Sequence, residues 1–301
     1  LERGGVPAED VDEVLMGCVL PAGLGQAPAR QASLGAGIPD ATGCTTVNKM
    51  CGSGMKTTML AHDLLKAETN EVMVAGGIES MSNAPYILPK ARSGQRLGHG
   101  QMLDHMFLDG LEDAFDKGKL MGVFAERTAK KYGFSREAQD EFAIRSLTRA
   151  KKAIEDGSFD AEVTPVTFKN RQGEVTVEQD EQPLTANLEK IPKLRPAFDK
   201  DGTVTAANSS SISDGAAALV MMRESTAKKR GLKPIARFLG HSSFAQEPAW
   251  FTTAPVNAIR NLLETVGWNV DDVDLFEINE AFAVVTMAAM KDLDLPADKV
   301  N

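Results

Sequence analysis

Cysteine is scarce in this chain: three in 301 residues, Cys18, Cys44 and Cys51, with no CxxC spacing and none beyond position 51. That count argues against a disulfide scaffold and suits a reducing compartment, so a cytoplasmic location is expected. Histidine is almost as rare. His62, His99, His105 and His241 stand at no ligand-like spacing with one another, a cysteine or a carboxylate, and no catalytic metal is expected. Positive charge is in deficit, with 33 Lys and Arg against 42 Asp and Glu and a net charge of −9. General nucleic-acid binding, which neutralises phosphates with clustered cations, is thereby disfavoured. Long apolar runs are missing too. The longest, Ala281 to Met290, begins beside Glu280 and falls well short of the roughly 20 residues a membrane span needs.

What the chain does contain is apolar residues at 43%, enough over this length for two domains with substantial cores. Glu13 to Leu20 reads as a buried strand, Cys51 to Leu65 as a helix, and Glu71 to Gly77 as a strand ended by two glycines. This strand, helix, strand rhythm predicts an α/β sheet. From Asn83 to Thr205 the texture turns to polar helices and Gly/Pro punctuation. Ser135 is placed to cap a helix running towards Ile154, and Glu162 to Phe168 with Glu174 to Glu178 reads as a hairpin turning through Asn170 to Gly173. Ser213 to Met222 returns to small and apolar residues. A second unit then reads as strand Ile235 to Gly240, helix Pro255 to Val266, strand Val273 to Ile278 and helix Ala281 to Lys291.

The turn Met50-Cys51-Gly52-Ser53-Gly54-Met55 sets one thiol where a strand hands over to a helix. Backbone N–H groups and the positive end of a helix macrodipole both favour a thiolate in such a place. The small residues after Cys51 let a substrate carbonyl approach the same amides, so one helix terminus can serve a nucleophile and the oxyanion it creates. Free cysteines are more often buried structural residues, and Cys18 and Cys44 are read that way.

Five segments, in order, carry a wider likeness: Thr46 to Lys56, Gly76 to Ser82, Leu194 to Phe198, Asn208 to Ala217, and Asn279-Glu280-Ala281-Phe282. Together they resemble the thiolase family, and within it the biosynthetic acetyl-CoA acetyltransferases. The resemblance implies a layered αβαβα fold of two related α/β halves with an inserted α+β loop domain. Residues 1–82 would be the first part of the N-terminal half, 83–211 the inserted coenzyme A-binding domain, 212–231 the return to that half, and 232–301 the C-terminal half. It also implies that the family's opening strand, its Gly-His-Pro histidine and its second catalytic cysteine have no counterpart among these residues. The site so implied pairs Cys51, the nucleophile that carries the acyl group, with Asn279, which fixes a water in an oxyanion hole. Asn279 stands before a helix, where asparagine is equally a good N-cap.

By the same likeness Ser210 contacts the pantetheine arm of coenzyme A, Leu111 and Phe198 line its tunnel, Met121 covers the acetyl pocket, and Ala281 and Phe282 border the site. Ser211 stands where many relatives carry glycine. Leu120 takes the place of a family histidine, with one residue inserted before it, which keeps longer 3-ketoacyl-CoA substrates in view. An anionic cofactor such as coenzyme A needs local positive charge in so acidic a chain, and Lys117, Lys119, Lys193 and Arg195 are the candidates to supply it. The implied reaction condenses two acetyl-CoA to acetoacetyl-CoA and coenzyme A, or reverses it by thiolysis, with no permanently bound cofactor and a homodimer or homotetramer as the working form. A degradative 3-ketoacyl-CoA thiolase and a catalytically inactive acyl-CoA-binding module are the alternatives. A ketosynthase shares the fold, and Asn279 to Phe282 favours the thiolase branch over it.

Overall fold

The computed structural model describes residues 1–171 and 173–301. In chain order the elements are β1 Glu13–Gly17, α1 Pro28–Gly35, β2 Gly43–Val47, α2 Ser53–Lys66, β3 Val72–Ser80, β4 Tyr86–Ile87, β5 Leu103–Asp104, α3 Met121–Tyr132, α4 Arg136–Glu155, β6 Val166–Asn170, β7 Gly173–Val177, α5 Glu181–Thr185, β8 Asp214–Met222, α6 Glu224–Lys229, α7 Ala254–Val266 and α8 Ala283–Leu293. Two units account for them. The first holds Leu1–Leu120 and Ile212–His241, the second Met121–Ser211 and Ser242–Asn301.

The first unit is built on a four-stranded sheet in the order β2-β1-β3-β8. β1 runs parallel to both β2 and β3, and β8 closes the edge antiparallel to β3, with Val74 opposite Val220. Strand alternation sorts the apolar runs onto two faces. Val14, Met16, Val72 and Val74 meet Val6, Val11, Ala29 and Ile38 on one side, while Leu15, Met73 and Ala75 meet Ala61 and Leu65 of α2 on the other. A parallel strand covered on both faces needs such an uninterrupted apolar run, and each fully buried Leu or Met contributes about 2 kcal/mol. β8, read from sequence as a return to the core, is largely exposed from Asp214 to Leu219 because it is an edge strand.

Two glycines let this sheet close. A Cβ on Gly17 would lie 2.5 Å from the backbone carbon of Ser53, so the bare β1 terminus is what lets α2 begin against it. A Cβ on Gly76 would meet the Ala217 carbonyl oxygen at 2.0 Å, which is why β8 can pair so tightly there.

The second unit is mainly helical. α8 is apolar nearly all round, burying Ala283, Val284, Val285, Thr286, Ala288 and Ala289, as a helix enclosed on all sides must be. Val284 and Val285 join Ala125, Ala129, Val204 and Phe282 in one cluster; Ala289 joins Val256, Phe276, Ile278, Leu295 and Val300 in another. The polar groups within are partnered: the Thr128 and Thr252 hydroxyls bond at 2.6 Å, and the Glu126 carboxylate accepts from the backbone N–H of Thr203 and Val204. Ser135 caps α4 as its sequence position predicts, accepting from the Ala138 N–H. The hairpin is present as β6 and β7, paired antiparallel; residue 172 of its expected turn lies outside the described residues.

Two expected strands do not form. Ile235 to Gly240 has no ladder, and Ile235 is fully exposed. Val273 to Ile278 pairs over a short stretch, through a parallel bridge between Phe276 and Val300 in which the Phe276 N–H donates to the Lys299 carbonyl, the Asn301 N–H to the Phe276 carbonyl and the Ile278 N–H to the Asn301 carbonyl. Both segments have strand composition, but a strand exists only where a neighbour supplies backbone partners, and among the described residues neither has an extended one.

Candidate active site

In the first unit the chain leaves β2, turns through residues 48–52 and enters α2 at Ser53. Met50 takes a left-handed conformation at φ 48°, which costs a non-glycine residue on the order of 1–2 kcal/mol and is held by its surroundings. The buried Ser53 hydroxyl does most of that holding: it donates to the Met50 carbonyl at 2.5 Å and accepts the Lys49 N–H at 2.8 Å. Asn48 adds a third brace, accepting the Met50 N–H at 3.0 Å. This elbow presents Cys51, which is exposed, beside the first turn of α2, whose leading N–H groups have no carbonyl partner within the helix.

The other two thiols are placed differently. Cys18 is buried, its Sγ 3.8 Å from a Glu79 carboxylate oxygen. Burial first and the Glu79 charge second push its pKa up, which makes it a poor nucleophile. Glu79 itself fastens the exit of β1, accepting the N–H groups of Val19 and Leu20 at 2.9 and 3.0 Å. Cys44 is half-buried on β2. The structural reading of these two thiols agrees with their surroundings. Leu111, also in this unit, closes the helical turn Met106–Leu111 and is half-buried.

The second unit gathers the remaining expected residues. The stretch from Asn208 to Ser210 runs alongside the turn before α8: the Ala283 N–H donates to the Asn208 carbonyl, Ser209 bridges Phe282, and the Ser210 N–H donates to the Ala281 carbonyl at 3.0 Å. The Ser210 hydroxyl donates to the Glu280 carbonyl at 2.6 Å. Ser210 and Asn279 both line an open cleft of about 480 Å³, bordered by α4, α5 and the segment around Lys190. Phe198 packs edge-on against Phe282 at 6.0 Å, and Met121 and Ala281 flank the same cluster.

Asn279 is not the cap of α8. Phe282 holds that position, and no side chain caps it, so the alternative reading of Asn279 as an N-cap is corrected. Its exposed side chain on the wall of the cleft is instead available to a ligand.

Sequence reasoning missed much of the cleft wall: Ser146, Gln182, Asn187 and Lys190. None sits in a recognisable motif, and only packing of α4 and α5 brings them to one place. Glu280 belongs to the motif Asn279 to Phe282, and nothing in the sequence marks it as a titrating group. Its carboxylate accepts the Ser146 hydroxyl at 3.0 Å, and burial pushes its pKa up against the pull of that hydroxyl and of Arg145. Of the expected cations, Lys119 pairs with Asp116 at 2.6 Å and Lys117 lies 3.8 Å from Glu112, whereas the cleft cation is Lys190. Among the described helices, none is long and apolar enough to cross a membrane.

Spacing along the chain also hid one cluster. His62, Asp63 and His241 converge in the first unit, with ligand atoms within 4.8 Å of one another, a grouping that their spacing along the chain does not show.

Comparison with known proteins places these features. The family model described as the thiolase N-terminal domain matches residues 1–225, and that for the thiolase C-terminal domain matches residues 232–301. A probable acetyl-CoA acetyltransferase of Dictyostelium discoideum is 46% identical, across 100% of this chain and 73% of its own length. An acetyl-CoA acetyltransferase of Thiocystis violacea is 47% identical, across 100% of this chain and 77% of its own. Among solved structures, the Bacillus anthracis acetyl-CoA acetyltransferase superimposes with a TM-score of 0.95 at 44% identity, covering 100% of this chain and 76% of its own. The Acat5 thiolase of Ascaris suum, solved in complex with coenzyme A, gives 0.92 at 40% identity, covering 98% and 75%.

Proposed function

Since the chain belongs to the thiolase family and has its α/β fold, we propose that it is an acetyl-CoA C-acetyltransferase, an enzyme that moves acetyl groups between coenzyme A thioesters through an acyl-cysteine. The observation that carries this reading is Cys51, exposed on a braced elbow at the start of α2. In the first half-reaction the Cys51 thiolate attacks the acetyl-CoA carbonyl carbon. The bond from that carbon to the coenzyme A sulfur breaks, coenzyme A leaves and takes up a proton, and the acetyl group remains on Cys51. In the second, a general base takes a proton from the methyl group of another acetyl-CoA, and the carbanion so formed attacks the acetyl carbonyl. The Cys51 thiolate is expelled and acetoacetyl-CoA forms.

Asn279 is assigned the water that steadies the thioester oxygen as charge gathers on it, an interaction worth about 3 kcal/mol where it has been measured in comparable sites. Ser210 is assigned to the pantetheine arm, with Met121, Phe198, Leu111, Ala281 and Phe282 as apolar lining. The placement of Ser210 and Asn279 on one cleft supports this assignment. We further propose a homodimer or homotetramer, to be read by light scattering on the eluting peak, and a cytoplasmic location, supported by three cysteines with no disulfide.

The test is mass spectrometry of the protein after exposure to acetyl-CoA. One acetyl group should map to Cys51 and be absent from the Cys51→Ser variant. An adduct confined to Cys18 or Cys44 would overturn the reading, and coenzyme A binding without any adduct would favour an acyl-CoA-binding module. The loop from Asp113 to Leu120 carries the departure from the biosynthetic pattern, tied by the Asp113 N–H on the Lys119 carbonyl and by the bridge from Glu112 to Leu120. It favours a second reading, a 3-ketoacyl-CoA thiolase of broader chain length. Faster thiolysis of a six-carbon than a four-carbon ketoacyl-CoA would establish it.

A further inference from the structure

We propose that His62, Asp63 and His241 form a binding site for a divalent transition-metal ion, with Zn²⁺ the best match, separate from the acyl-transfer chemistry. His62 and Asp63 are consecutive residues near the C-terminal end of α2, and His241 lies within the irregular segment between α6 and the helical turn Pro248–Thr253. One Asp63 carboxylate oxygen lies 3.2 Å from His62 Nδ1 and 2.9 Å from His241 Nε2. The two imidazoles are mostly shielded, at 17% and 22% exposure, while Asp63 is half open to water. Phe238 fixes their orientation, its ring 4.6 Å from that of His62 and 6.1 Å from that of His241.

Two imidazole nitrogens, one carboxylate oxygen and an open side make three protein ligands and a water position, a donor set that suits zinc. Metal–ligand bonds of about 2.1 Å in a tetrahedron put neighbouring donor atoms about 3.4 Å apart. The two contacts to Asp63 need open by only a few tenths of an ångström, and the two histidines close by a rotation of their rings. Without metal, the Asp63 carboxylate accepts from both imidazoles. A metal ion would replace the shared protons and join α2 to the segment before His241. His62 sits about 14 Å along the helix axis from Ser53, so the ion would pin the helix that begins beside Cys51 without reaching the thiol.

The experiment is titration of the chelator-treated protein with Zn²⁺ against a chromogenic indicator, repeated with Co²⁺ read by its visible spectrum. One equivalent should bind, with the intense visible bands of a four-coordinate Co²⁺ site. Asp63→Asn and His241→Gln should each raise the dissociation constant by about tenfold or more, since even the loss of a group behind a ligand costs 10–100-fold. His99→Gln, a change at an exposed histidine elsewhere, should leave binding unchanged. If His241→Gln fails to fold, Asp63→Asn carries the comparison. Less than half an equivalent bound, binding unaltered by Asp63→Asn, or binding lost in His99→Gln would each overturn the proposal, leaving Asp63 simply an acceptor for two imidazoles.

Discussion

Replacing Gly17 by alanine should disable the nucleophile's elbow from behind, although residue 17 lies at the end of a different strand. The added methyl carbon would stand 2.5 Å from the Ser53 backbone carbon, 2.6 Å from the Gly54 nitrogen and 2.7 Å from the Ser53 Cβ. Comfortable carbon contacts begin near 3.5 Å, so the start of α2 must withdraw by about 1 Å. None of those atoms is the flexible end of a side chain, and overpacking of this kind costs about 1–3 kcal/mol. At roughly 2–4 °C per kcal/mol for a unit of this size, the melting temperature should fall by about 5 °C.

The larger effect should be on rate. Ser53 braces Met50 through two hydrogen bonds, so a displaced Ser53 loosens the turn that carries Cys51. A misplacement of 1 Å at a reacting group costs on the order of 100-fold. The assay is the rate of Cys51 acetylation by acetyl-CoA, followed by intact mass, beside a thermal melt. Gly43→Ala on β2 is the control, since its new carbon would meet only Glu13 Cγ at an ordinary 3.9 Å. If Gly17→Ala melts within about 1 °C of the parent and acetylates within about twofold, the close approach of β1 to α2 does not position the cysteine and the reasoning fails.

Three further outcomes are expected. Asn279→Ala should lower kcat by about 100-fold or more with little change in KM, as loss of an oxyanion donor does elsewhere; a fall of less than about threefold would remove Asn279 from the oxyanion site. Thr252→Val should cost about 0.5–1.5 kcal/mol in a denaturant melt, because it removes one bond of the buried Thr128 hydroxyl and leaves it the Phe124 carbonyl, and Thr128→Val combined with it should cost less than the sum of the two single changes. Tyr132 donates to Asp292 at 2.7 Å, and burial, with that acceptor second, pushes its pKa up to about 12. The folded state therefore holds the phenol proton more tightly than the unfolded chain does. Its contribution to stability is complete below the unfolded value near 10 and is lost as pH rises through about 12. Spectrophotometric titration should show one tyrosine ionising late, and Asp292→Asn should bring it down; no change in that variant would refute the assignment.

Short-range pattern alone determined a good share of this protein. The buried runs of β1 and β3, the Ser135 cap and span of α4, the β6–β7 hairpin and the placement of Cys51 at a strand-to-helix turn all depend on residues within a few positions of one another, which is the range over which alternation, capping and turn chemistry act. The motif order along the chain likewise identified the family, which the comparisons then bore out. Tertiary structure decided what needs a distant partner. Ile235 to Gly240 has strand composition but no ladder among the described residues, and Val273 to Ile278 pairs only over the short stretch to Asn301, because backbone hydrogen bonds come from a neighbour and composition cannot supply one. Asn279 was freed from capping by where α8 begins, and the cleft it shares with Ser210 and Lys190 exists only through the packing of α4 and α5. His62 and Asp63 meet His241 178 residues further on, a distance in sequence across which no local pattern carries information.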